Sequence, residues 1–345
     1  MSITMALLIK FKGKLIMLPT RQQIEDAAGI VYQAMPPTPQ YSWPLINQFL
    51  GAEIWVKHEN HTPTGAFKVR GGLVYLHALV KRAPLVRHVV AATRGNHGLS
   101  VGFAAQRYGI SAHIVVPRGN GTEKNAAMRA LGVDLIEFGE EFQDCREHAA
   151  RLAHQHDWHM IPSMHMDLLC GVASYWMELL QARPDLDLVY VPIGQGSGVC
   201  AAAAAIQALG LATKIVGVVS AHAPAYKYSF EAGRKIEAPV TTVLADGLAC
   251  RVPDETSLKI ILANVDHIVA VTDEEVAAAM KLLYVATHNV AEGAGAAAMA
   301  AALQEKNHLQ KLKIGLPLCG GNVDASQFAR ILGASLSADC TSQAA

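Results

Sequence analysis

Three short segments carry residues whose types and spacing could do chemistry. The first is Thr62-Pro63-Thr64-Gly65-Ala66-Phe67-Lys68-Val69-Arg70-Gly71-Gly72, a turn-forming run that delivers a lysine ahead of a predicted helix. The positive end of a helix dipole, together with desolvation, disfavours a charged ammonium there, and a neutral lysine is the nucleophile that a Schiff base needs. Taken alone, Lys68 reads first as a surface lysine that begins a helix. The second segment is Thr93-Arg94-Gly95-Asn96-His97-Gly98. Two glycines around a polar pair leave backbone N–H groups free to hold an anion, although a plain tight turn reads the same way. The third is Gly194-Gln195-Gly196-Ser197-Gly198, directly after the apolar run Leu188 to Ile193. Unhindered amides, a hydroxyl and a helix start make a phosphate cradle. It is not a Walker loop, since no Gly-Lys-Ser/Thr follows, and it lacks the dinucleotide spacing.

The elements around these segments alternate between short apolar runs and helical stretches. Strands are predicted at His88 to Ala92, His113 to Pro117, Val133 to Phe138, Leu188 to Ile193, Lys214 to Ser220, His267 to Val271 and Lys313 to Leu318. Helices are predicted at Gly98 to Tyr108, Thr122 to Leu131, Glu141 to Gln155 and Val199 to Leu209, and alanine-rich stretches (Ala201 to Ala205, Ala296 to Ala302) suggest close helix–sheet packing. Such alternation implies an α/β fold with parallel sheets, in which ligands collect at the carboxyl ends of strands. The three segments therefore belong together.

At 345 residues the chain exceeds what one core usually organises, so two domains are expected. Lys plus Arg equals Asp plus Glu at 29 each, which argues against a nucleic-acid surface or a polybasic membrane patch and favours a small-molecule ligand. The cysteines, Cys145, Cys170, Cys200, Cys250, Cys319 and Cys340, form no C-x-x-C pair. A disulfide framework or zinc site is not expected, and a reducing cytoplasm is. His148, His154, His156, His159 and His165 crowd one region and could be a metal site, but a solvated helix face and turn is the reading adopted. The apolar run Ile3 to Ile9 is too short to span a bilayer, and Lys10, Lys12 and Lys14 follow it without a small-residue cleavage site. Residues 1–16 are expected to be an upstream extension, with a normal domain start from Met17, and no regulatory module is expected after Leu332.

A reactive lysine, an anion-binding turn and a phosphate loop, with no metal motif, fit a phosphorylated aldehyde cofactor. At this point the chain resembles a known family. The lysine segment, the Gly95-Asn96-His97 turn, the glycine loop and Leu318-Cys319-Gly320-Gly321-Asn322 occur in the order of the fold-type II pyridoxal 5'-phosphate (PLP) enzymes. The branch it looks most like is the serine/threonine dehydratases, over roughly residues 20 to 332. The resemblance implies two parallel-sheet domains of the tryptophan synthase β type, with the cofactor in the cleft between them. The expected division is a large PLP-binding domain from residues 17–86 and 168–345, and a small domain from residues 87–167.

The resemblance also implies roles. Lys68 matches the Schiff-base lysine, with Phe67 beside it. Asn96 matches the residue that hydrogen-bonds the cofactor's phenolic oxygen, Gly194, Gln195, Gly196, Ser197 and Gly198 match the phosphate loop, and Cys319 matches the position facing the pyridine nitrogen. Thr93, Arg94, Gly95 and His97 belong to the loop that receives the substrate carboxylate. A thiol at Cys319 is a weak partner that leaves the ring nitrogen neutral and suits rapid loss of a β leaving group; otherwise Cys319 is a buried small hydrophobe. Two departures stand out. The family's racemases place a serine just before the Gly-Asn pair, whereas this chain has Arg94, which cannot deprotonate in practice. Arg94 could bind a distal substrate carboxylate, or turn outward. Some relatives carry acidic metal ligands after the strand equivalent to Lys214 to Ser220; the matches here are Val219 and Ala225, so no metal is expected.

The implied activity is elimination of water from a β-hydroxy amino acid such as L-threonine or L-serine, giving a 2-oxo acid and ammonium. Phenylserine and 3-hydroxyaspartate remain open as substrates, a β-replacement synthase is the alternative reaction, and a sensor of a phosphorylated ligand is the non-enzyme reading. No nucleic-acid or membrane partner is expected, and a homodimer is.

Overall fold

The structure, a computed structural model, describes residues 8–11 and 14–334. Leu8–Phe11 and Lys14–Met17 pair as an antiparallel hairpin; the rest of the expected extension, residues 1–16, lies outside the described residues, as does Cys340.

Two largely parallel sheets organise the described residues. The larger runs, edge to edge, through Val265–Val271, Lys214–Ser220, Leu188–Pro192, Lys313–Leu318, Glu53–His58 and Gln40–Ser42. Its pairs are parallel except for the last, where Gln40–Ser42 runs antiparallel to Glu53–His58. The smaller sheet is parallel throughout, in the order Asp134–Glu137, Ser111–Val116, His88–Ala92 and His159–Met160. The central strands are buried on both faces, as in Val189, Tyr190 and Val191, which is why they read as unbroken apolar runs rather than as alternation.

The strands His88–Ala92, Lys214–Ser220 and Lys313–Leu318 lie where the sequence predicts them. One boundary matters for the site. The helix after the second segment begins at Asn96, two residues before the predicted Gly98, so Asn96 and His97 occupy its first turn. The alanine-rich helices Ser197–Leu209 and Gly293–Gln304 pack on the larger sheet, with Ala201, Ala202, Ala204 and Ala205 buried.

Three of the crowded histidines have local partners. His148 stacks on Phe138, the Tyr75 hydroxyl and His159 Nε2 are 2.9 Å apart, and His165 Nδ1 accepts the Asp167 amide at the start of Met166–Ala182.

Lys68 opens the helix Lys68–Arg82, two residues before a buried ionic cluster. Arg70, with 0% of its surface exposed, donates from Nε to Glu59 (2.7 Å) and from Nη1 to Glu178 (2.6 Å) and Ser174 (2.9 Å). Lys57 pairs with the other Glu178 oxygen and donates to the Thr38 carbonyl at 2.8 Å. Two cations and two carboxylates thus neutralise one another in the interior, tying the lysine helix to strand Glu53–His58 and to helix Met166–Ala182.

Candidate active site

The three segments converge on one cleft of about 120 Å3 between the two sheets' strand ends. Its wall includes every site residue read from the sequence: Phe67, Lys68, Thr93, Arg94, Gly95, Asn96, His97, Gly194, Gln195, Gly196, Ser197, Gly198 and Cys319.

Lys68 is the first residue of its helix, and its Nζ donates to Ser197 Oγ at 2.7 Å. Its position is fixed by the backbone on either side. The Phe67 amide donates to the Cys319 carbonyl at 3.1 Å, the Gly321 amide donates to the Gly65 carbonyl at 2.9 Å, and Ser100 Oγ donates to the Lys68 carbonyl at 2.6 Å. Burial in the cleft pulls the Lys68 ammonium down to about 8, with the neighbouring Cys319 opposing the shift. An appreciable neutral fraction is therefore available near neutral pH, as nucleophilic attack on an aldehyde requires.

The glycine loop turns into the helix Ser197–Leu209, whose first amides have no acceptor within the helix. Tyr226 Oη (3.1 Å) and Ser257 Oγ (2.9 Å) both donate to the Gln195 carbonyl and hold the loop in place. Gly196 has φ +98°, and a Cβ there would lie 2.5 Å from Ser257 Cβ. The loop's shape thus demands glycine at that point.

The Thr93–His97 turn is shaped by Thr93 itself, whose Oγ1 accepts from the amides of Gly95 (2.9 Å) and Gly98 (3.3 Å). Gly95, at φ +150°, passes so close to Lys124 that a Cβ would sit 2.5 Å from its Cδ. Asn96 Nδ2 donates to Glu292 Oε1, and Asn96 Oδ1 accepts from Asn322 at 2.8 Å. His97 Nε2 is buried without a hydrogen-bond partner among the described residues. Burial and the Lys68 charge lower its pKa to about 3, so the ring is neutral. Cys319, 6% exposed, donates from Sγ to the Ala294 carbonyl at 3.4 Å, and burial keeps it a thiol.

The structure adds residues that the sequence reading did not single out. Lys124 Nζ lies 2.7 Å from Asp246 and 3.0 Å from Glu292, a bridge from the smaller sheet's side of the cleft to the larger sheet's side. Burial lowers the Lys124 pKa, but the two carboxylates outweigh it and raise the net value. Glu292 is raised by burial, and Lys124 and Asn96 only partly offset this. One signal was present in the sequence: Glu292 is the only charged residue from 291 to 304. Lys124, beside Glu123 on a helix, reads as a solvated face.

These residues fit a phosphorylated aldehyde. The helix start and the loop amides suit a phosphate, Lys68 has nucleophilic character, and the unpartnered His97 Nε2 leaves a polar group free to meet a ligand. Gly196→Val is expected to weaken retention of such a ligand by at least about tenfold, since a branched residue at positive φ both strains the loop and blocks the amides. Cofactor absorbance remaining after dialysis measures this; wild-type retention would contradict the loop's assignment.

Residues 31–320 match the family model described as "Pyridoxal-phosphate dependent enzyme". The chain is 32% identical to the L-threonine ammonia-lyase of Thermotoga maritima over 91% of this chain and 78% of that one. It is 30% identical to the L-threo-3-hydroxyaspartate ammonia-lyase of Saccharomyces cerevisiae, covering 92% and 97% of the two chains. Among solved structures, a pyridoxal 5'-phosphate-dependent aspartate racemase superposes with a TM-score of 0.85 at 25% identity, covering 90% and 97%.

Proposed function

The chain belongs to the family of pyridoxal-phosphate dependent enzymes, and on that premise we propose that it is an ammonia-lyase that dehydrates a β-hydroxy amino acid such as L-threonine or L-serine to a 2-oxo acid and ammonium. The observation that carries this is Lys68 at the start of its helix, 2.7 Å from the serine of the phosphate loop.

When bound, the cofactor supplies an electron sink for the charge left at the substrate's α-carbon. The chain's residues do the rest. Lys68 would hold the cofactor, and its amine, with its lowered pKa, would be the group that accepts the α-proton. The Gly194–Gly198 loop would anchor the phosphate. Asn96, braced by Glu292 and Asn322, would orient the ring through a hydrogen bond to its phenolic oxygen. The Thr93–His97 turn receives the α-carboxylate. Cys319, a buried thiol lining the cleft, would offer a pyridine nitrogen a weak partner rather than a counter-charge, which would favour loss of the β-hydroxyl. Racemisation needs a proton donor on the second face; at the position where racemases of the family carry serine, this chain has Arg94, which is permanently charged. Elimination is therefore our reading despite the likeness to a racemase structure.

We read the larger sheet and its helices (residues 17–86 and 168–345) as the cofactor-binding domain and residues 87–167 as a small domain closing over substrate. We also read the enzyme as a cytoplasmic homodimer. No helix among the described residues is long and apolar enough to cross a membrane.

Release of 2-oxo acid from L-threonine, L-serine, phenylserine and 3-hydroxyaspartate tests the reading. Turnover of at least one is expected, with ammonium in equal amount; inertness toward all of them would refute it.

A further inference from the structure

Arg94 belongs to the turn read as receiving the α-carboxylate, yet no step of the elimination described above uses its guanidinium. It also lines a smaller recess of about 20 Å3, more than one water needs, whose wall includes Glu141, Phe142, Arg146, Gln195 and Arg251. Arg94, Phe142 and Gln195 line both cavities, so the recess opens off the cleft beside the substrate turn.

The charge in this recess is unbalanced. Three arginines face one carboxylate, Glu141, and that carboxylate is already engaged: it pairs with Arg251 and caps the helix Phe142–His156. Arg94 Nε is buried with no hydrogen-bond partner, and among the described residues no carboxylate lies within ion-pair distance of Arg94 or Arg146. A guanidinium N–H withdrawn from water and left unpaired is unfavourable, whereas a planar carboxylate matches its donors. The unpaired Nε–H therefore lies at a recess adjoining the turn expected to hold the substrate's α-carboxylate.

We propose that the recess is a subsite for a second carboxylate, with Arg94 binding it and Arg146 reinforcing the field, so that the preferred substrates are β-hydroxy amino dicarboxylates of the 3-hydroxyaspartate class. This rests on the elimination reading above. The Cα–H and Cβ–OH bonds break with loss of water, the resulting enamine takes up one water, and a 2-oxo dicarboxylate and ammonium leave.

Two measurements on the holoenzyme test the proposal. The first compares kcat/KM for 3-hydroxyaspartate and L-threonine in wild type and in Arg94→Gln. A charge-assisted pair implies a dicarboxylate preference of about 10- to 150-fold in wild type that collapses toward unity in the variant. The second needs no turnover: succinate should raise the thermal midpoint of wild type while butyrate, with one carboxylate fewer, should not, and Arg94→Gln should lose the difference. Threonine turnover with no dicarboxylate preference and equal effects of succinate and butyrate would overturn the subsite and leave the elimination reading standing. Inertness toward every β-hydroxy amino acid would sink the elimination reading, while the succinate comparison would still judge the subsite. If Arg94→Gln does not fold, the wild-type comparison of succinate with butyrate decides.

Discussion

Lys68→Ala is expected to abolish turnover, with a loss of at least about 10⁴-fold, because one substitution removes both the covalent anchor of the cofactor and the acceptor of the α-proton. The effect should not be one of folding. The Lys68 side chain makes one polar contact, to Ser197, and its helix is held elsewhere by Arg70 and by the backbone bonds of Phe67 and Gly321. The variant should therefore keep its circular dichroism and thermal midpoint while lacking the visible absorbance of a lysine-bound pyridoxal. Residual turnover within tenfold of wild type would remove Lys68 from the chemistry.

Arg70→Met is expected to do the reverse, acting on stability. It deletes the cation that Glu59 and Glu178 share and leaves two carboxylates in the interior with Lys57 alone to balance them. Breaking a buried pair in this way costs about 3–5 kcal/mol, which lowers the thermal midpoint by roughly 5–15 °C. The pKa directions agree. Glu178 is pushed up by burial but brought below its ordinary value by Arg70 and Lys57, so the fold relies on its being charged. Because Lys68 sits two residues away, cofactor retention should weaken as well. A midpoint within about 1 °C of wild type would show that the cluster contributes little to stability.

The parts of this molecule that were legible in the sequence are those whose chemistry is local. Lys68 behind its turn, the Gly194–Gly198 loop behind an apolar strand and the Thr93–His97 turn each announce themselves in a few residues, and the fold brings all of them to one cleft. The buried parallel strands Leu188–Pro192, Lys214–Ser220 and Lys313–Leu318 were equally plain, as short apolar runs between turns. What stayed hidden is long-range electrostatics. The strand Glu53–His58, which is not among the predicted strands, carries Glu53, Lys57 and His58; Lys57 and His58 are buried because Glu178 and the Trp43 indole N–H supply partners from distant segments. Lys124 was missed for the same reason, since Asp246 and Glu292 lie far along the chain. The early start of the helix at Asn96 was missed because Gly95, at positive φ, ends the turn sooner than the second glycine suggested.

The central claim is that Lys68 carries the cofactor. Borohydride reduction of the purified wild-type protein, followed by proteolysis and mass mapping, tests it most directly. The account predicts that a single peptide spanning Thr62 to Arg70 acquires the mass of a reduced pyridoxyl phosphate on Lys68. A pyridoxyl group fixed on any other lysine, or no label on a fully folded, cofactor-saturated protein, would contradict it.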